Sequence, residues 1–143
     1  MYRFLSLLLT VAFLSCTNLY GADKSIKATR IQTPPSIDGI LNDECWNNLP
    51  VATDFITNDP VFGNPAKEKT EVKICYDDKA IYVAAWLYDS HPDKINFQLT
   101  QRDNEGNVDK FVVGLDTYDD NLNAFRFIVS AAGVQGDGKM TAT

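Results

Sequence analysis

Between Val72 and Asp89 the chain alternates in two ways. Val72, Ile74 and Tyr76 are separated by Lys73 and Cys75, the two-residue period of a half-buried strand. Asp77-Asp78-Lys79 supplies turn chemistry. In the next run Ile81, Val83, Ala85 and Leu87 share one face, and Tyr82, Ala84, Trp86 and Tyr88 share the other. Neither face is polar, so this second strand is expected inside a sheet covered at least in part on both sides. Its aromatic face is the first place to look for a ligand.

The remaining pattern is also strand-like and short. Strands are expected at Ile26 to Ile31, at Phe55-Ile56, weakly at Ile95 to Leu99, at Phe111 to Leu115 and at Ala124 to Val129. Thr33-Pro34-Pro35 breaks the first. Asn42 to Trp46 reads as one helical turn with Asn42 as N-cap and acidic residues following it. Asn58 to Pro65, Ser90 to Lys94, Gln101 to Asn107 and Asp116 to Asn123 read as loops or turns. After Gly133 the chain is Gly-rich and polar, and no closing strand is expected there. The sum is an all-β fold, an antiparallel β-sandwich of jelly-roll type. Its two apolar central strands need partners along their edges. The expectation is that the sandwich is truncated at its C-terminal end.

The N-terminal run, from Phe4 to Leu14 after Arg3, is too short to span a bilayer comfortably and suits a secretory signal peptide over residues 1–21. Cys16 offers lipoprotein processing as an alternative. The domain proper is then residues 22–143, exported and periplasmic, cell-surface or secreted. An oxidising compartment would permit a Cys45–Cys75 bond, but two small buried thiols without one is the favoured reading.

Composition narrows the partners. Of 143 residues 45% are hydrophobic and 22% charged, as in ordinary single-domain globular proteins. A formal net charge of −6 argues against a nucleic-acid partner, because phosphate binding needs clustered Lys and Arg. His91 is the only histidine, so His-rich zinc chemistry is absent, and no nucleophile-elbow motif occurs. Many carboxylates are present, but sequence places no pair across a sugar.

Four segments in order resemble one family. Ile37-Asp38-Gly39-Ile40-Leu41-Asn42-Asp43-Glu44-Cys45-Trp46 resembles the opening signature of family 9-like carbohydrate-binding modules. Tyr76-Asp77-Asp78-Lys79-Ala80-Ile81-Tyr82-Val83 resembles their hairpin. Asp109 with Phe111 to Asp116, and Phe127 to Gly133, resemble their next two strands. The resemblance implies a sandwich that binds glycans, xylan-type among them, without cleaving them. It also implies attachment to a larger exported protein of the Bacteroidetes type, linked to carbohydrate catabolism and associated with the outer membrane. Such a parent could be an O-glycosyl hydrolase through a downstream domain. The chain departs from the family where a stacking Trp precedes the Asp, and where Val112 and Ile128 replace polar sugar contacts.

The sugar-binding candidates are therefore Tyr82, Trp86 and Tyr88 as a stacking row, with Arg102, Asp109 and Arg126 as polar contacts. Asp116, Asp119 and Asp120 are the candidates for structural calcium, which prefers several oxygen ligands. Trp46 is expected as a core plug. A structural module that packs on the rest of its own chain, having lost sugar binding, is the competing reading.

Overall fold

A computed structural model describes residues 24–141. The predicted signal peptide and Cys16 lie outside the described residues. The fold is all-β, as expected: six strands form two three-stranded sheets, and the described helical content is two single 3-10 turns. The strands are β1 (Thr29–Arg30), β2 (Thr70–Tyr76), β3 (Ile81–Leu87), β4 (Lys110–Leu115), β5 (Asn123–Ser130) and β6 (Gln135–Thr141). The sheet orders are β1-β2-β3 and β4-β5-β6, the pair of sheets that a sandwich requires. Chain contacts divide the fold into two compact units. The first comprises the described residues up to Ala52 with Val72–Ala84, and the second comprises Thr53–Glu71 with the chain from Ala85 onward.

In the first unit β2 is the central strand. β1 joins it in parallel, with Thr29 opposite Cys75 and Arg30 opposite Tyr76, and Ile31 N–H continues the ladder to the Tyr76 carbonyl at 2.9 Å. The expected strand at Ile26 to Ile31 is therefore reduced to two residues. β2 was expected to be half-buried, yet Val72 on one face and Cys75 on the other are both buried. β3, expected inside a sheet, lies at the edge of this one among the described strands. The reason is the β1–β2 pairing, which uses the far edge of β2 and leaves β3 on the outside.

The hairpin turn between them is built by one carboxylate. Asp77 Oδ1 accepts the N–H groups of Lys79 and Ala80 at 2.7 and 2.8 Å, and its Oδ2 accepts the Tyr82 hydroxyl at 3.1 Å. The helical turn is Glu44–Trp46, with Asp43 and not Asn42 at the N-cap position. Trp46 is 4% exposed, the core plug that its context suggested. Lys73 Nζ donates to the Trp46 carbonyl at 2.8 Å, fastening the turn to β2. A mutual pair of backbone hydrogen bonds between Ala52 and Val72 holds the chain leaving this turn.

In the second unit β4 and β5 form the expected hairpin, with Phe111 opposite Val129 and Val113 opposite Phe127. One face carries Phe111, Val113, Leu115, Phe125, Phe127 and Val129, all apolar. The other carries Ile128 and Ser130, both buried. β6 is a correction to the sequence reading. Its Gly136 and Gly138 sit opposite Ile128 and Arg126. A Cβ on Gly138 would lie 3.3 Å from Arg126 Nε, so the glycine there lets the Arg126 side chain pack close, whereas one on Gly136 would be in ordinary contact with Asp103 at 3.6 Å. Low strand propensity hid a strand that is held by pairing.

Two expected strands are absent from the described chain. Phe55-Ile56 contributes only a single bridge, Ile56 to Pro65. Ile95 to Leu99 alternates in sequence but makes no ladder. Asn96 N–H goes to Asp109 Oδ2 at 2.8 Å, and the Asn96 side chain donates to the Asn107 carbonyl, so the segment is tied to a loop.

Candidate functional site

A cleft of about 360 Å³ lies within the second unit. Its apolar lining comes from the end of β3 (Leu87, followed by Tyr88), from Ile95, and from Phe111 and Val129, which face each other across β4 and β5. Glu68, Asp89 and Asp109 bring carboxylates to the same space. An apolar surface with a few placed polar groups is the common make-up of a small-ligand site.

Each of these groups is positioned by its neighbours. Tyr88 N–H donates to the Lys69 carbonyl at 3.0 Å, which extends the hairpin by one residue and delivers the ring to the strand end. The Tyr88 hydroxyl donates to Glu71 Oε2 at 3.2 Å, and the Lys69 ammonium lies 5.3 Å from the ring centroid. One ring face thus meets a cation while the residue stays 48% exposed. Glu68 accepts the Ser90 hydroxyl at 2.7 Å and the Ser90 N–H at 3.2 Å. The Ser90 hydroxyl bond is the chief cause that holds the Glu68 carboxyl below its ordinary range. Asp89 Oδ1 caps the His91 N–H at 2.6 Å, beside the 3-10 turn Pro92–Lys94.

Of the six sequence-predicted sugar contacts, the cleft brings together Tyr88 and Asp109. Tyr82 belongs to the first unit, half-buried, with its hydroxyl on Asp77. Burial, and then the Asp77 hydrogen bond, push that phenol up. Trp86 is half-buried and is not among the residues lining the cleft. Arg126 points from the opposite face of β5 to Glu105 at 2.8 Å, and Glu105 also holds Lys110 at 2.5 Å. Lys110 is the principal cause of the lowered Glu105 carboxyl. Arg102 pairs with Asp137 of β6 and donates to Gln135 Oε1 at 3.2 Å. Both guanidinium groups therefore brace the 101–107 loop against β5 and β6.

The three predicted calcium ligands form a turn. Asp116 accepts the N–H groups of Asn121 at 2.8 Å and Tyr118 at 3.1 Å. Asp120 accepts those of Leu122 and Asn123, both at 2.8 Å, and the Asn123 side chain. These bonds, Asn121 N–H first for Asp116 and the Asn123 side chain first for Asp120, lower both carboxyls. Asp119 sits at φ 54° in the same turn. Among the described residues no group of three or more His, Cys, Asp or Glu side chains converges as a metal site.

Sequence reasoning missed Glu68, Asp89 and Phe111 as cleft residues. The usable signal was position: Asp89 follows Tyr88 at the end of the aromatic run, and Glu68 lies two residues before its hairpin partner, β2.

Comparison with curated proteins and with solved structures returns no match. A family model, Carbohydrate family 9 binding domain-like, matches residues 37–142. That span takes in both sheets from β2 onward, the Trp46 turn and the whole cleft. The chain belongs to the Carbohydrate family 9 binding domain-like family.

Proposed function

We propose that this domain is a non-catalytic glycan-binding module, and that its sugar site is the cleft beside Tyr88. The observation that carries the reading is the meeting, in one concavity, of an exposed and oriented aromatic ring with carboxylates that retain acceptor capacity. Sugar rings offer C–H faces for stacking and hydroxyls for hydrogen bonding, and the cleft supplies a partner for each. In this reading the module serves an exported bacterial protein of carbohydrate catabolism, directed to a xylan-type or related polysaccharide, with a downstream domain of the same product at the outer membrane.

Calorimetric titration of the chain with xylan, cellulose-type and mixed oligosaccharides tests this. Binding that weakens at least about tenfold on Tyr88→Ala supports it. No heat with any oligosaccharide, from a protein whose circular dichroism is that of a β fold, rejects it.

A second reading has its own support. Val112 and Ile128 occupy strand positions where the resemblance places polar contacts, and Arg102 and Arg126 are engaged in ion pairs. These favour a structural module packed on a larger envelope protein. The same titration separates the two, because this reading gives no glycan binding at all.

A further inference from the structure

The charge of the cleft is one-sided. Among the described residues that line it, Glu68, Asp89 and Asp109 are acidic; Glu68 is paired with Lys67 at 3.6 Å and the one lining cation, Lys110, with Glu105 at 2.5 Å, which leaves Asp89 and Asp109 as the acidic pair. Asp89 uses Oδ1 on the His91 N–H, and Asp109 uses Oδ2 on the Asn96 N–H. Among the described residues the second oxygen of each carboxylate accepts no protein hydrogen bond. An acidic sugar brought here would meet like charge with no free cation to offset it. A neutral sugar would bring only hydroxyl donors. A protonated amine would bring donors and the opposite charge together.

A second, independent observation concerns how this neighbourhood already treats an ammonium group. Lys69 Nζ lies 5.3 Å from the Tyr88 ring centroid and 2.5 Å from Glu71 Oε1. An aromatic face combined with a carboxylate is a general receptor for ammonium ions. The chain's own lysine occupies one such place, against the same Tyr88 ring that lines the cleft. The cleft repeats the ingredients with Tyr88, Phe111, Asp89 and Asp109, and its lining lysine, Lys110, is engaged by Glu105 and not by either aspartate.

From this we infer that the cleft takes amino sugars, that is, oligosaccharides bearing free protonated amines, in preference to neutral or uronic ones. The inference rests on the reading of the cleft as a sugar site. It adds the ligand class.

Calorimetry on the whole chain distinguishes the two levels. The probes are a glucosamine tetramer, its N-acetylated counterpart, a cellulose-type glucose tetramer and a galacturonate tetramer. The expected order has the glucosamine tetramer at least about tenfold tighter than either neutral tetramer, and the galacturonate weakest. Raising the salt to about 1 M compresses the preference, since the cleft is open to solvent. The double variant Asp89→Asn with Asp109→Asn narrows it to less than about threefold, whereas Asp93→Asn, outside the cleft, retains it. Equal affinity for the glucosamine and N-acetylated tetramers overturns the amine preference and leaves the sugar site standing. Absence of binding to all four ends both. A lysine tetrapeptide that binds as tightly as the glucosamine tetramer overturns the amino-sugar assignment in favour of a peptide partner.

Discussion

Single carboxylates and thiols do much of the local work in this domain. Asp77 builds the β2–β3 turn, and the N–H groups of Lys79 and then Ala80 hold its carboxyl well below the ordinary range. Cys75 is wholly buried on β2, and burial first, with Cys45 and Asp77 adding to it, pushes its thiol up. Cys45 is partly accessible, and both are free thiols. Since the thiolate is the reactive form, Cys75 is expected to resist iodoacetamide at neutral pH until the protein unfolds, while Cys45 is modified first. Mass spectrometry of the labelled peptides reads the order, and equal rates in the folded protein would contradict it. Gly133 closes the turn after β5 at φ 77°, with its N–H on the Ser130 carbonyl at 2.8 Å. Open space surrounds it, so Gly133→Ala is expected to cost only the left-handed backbone penalty, about 1–2 kcal/mol, measurable as a shift in the urea midpoint.

At the scale of elements, packing decided what sequence left open. The β2–β3 hairpin was legible because alternation and Asp77 turn chemistry agree. Which strand is central was not legible: a strand was expected at Ile26 to Ile31, but nothing in it says which neighbour it joins, and the parallel pairing of β1 puts β2 in the middle. β6 was hidden by Gly136 and Gly138, residues that strands usually avoid; the Arg126 side chain packs close over Gly138. Ile95 to Leu99 failed as a strand for the opposite reason. Its alternation is sound, but its backbone donor at Asn96 is claimed by Asp109. The candidate site was readable in the same partial way. Tyr88 and Asp109 could be found from the aromatic strand and the family resemblance. The ion pairs that engage Arg102 and Arg126 depend on β6 and Glu105, whose placement no local pattern reveals. Trp46 anchors its 3-10 turn on the first unit, 4% exposed and fastened through its carbonyl to Lys73. Trp46→Ala is expected to cost about 3–5 kcal/mol in a urea titration, and a loss under about 1 kcal/mol would deny it the role of core plug.

For the molecule as a whole, the titration behaviour follows from turns and ion pairs on the surface. Asp77, Asp116 and Asp120 are lowered by hydrogen bonds within their turns, Glu68 by Ser90, and Glu105 by Lys110 and Arg126. A carboxyl whose folded value is depressed contributes stability that is fully present above its unfolded value, and that stability is lost as the pH falls through the folded one. The urea midpoint is therefore expected to hold from about pH 7 to about pH 5 and to fall steadily below about pH 4. A midpoint unchanged down to about pH 3 would contradict these assignments. The net charge of −6 acts against polyanionic partners.

In the proposed reading, glycan is recognised in the Tyr88 cleft of the second unit. Nuclear magnetic resonance of the isotope-labelled chain, titrated with a glucosamine tetramer, tests it most directly. Saturable shifts are expected at the amides of Tyr88, Asp89, Asp109, Lys110 and Phe111, with the turns at Asp77 and Asp120 unmoved. Shifts confined to residues outside the cleft, or none at millimolar sugar, would contradict it.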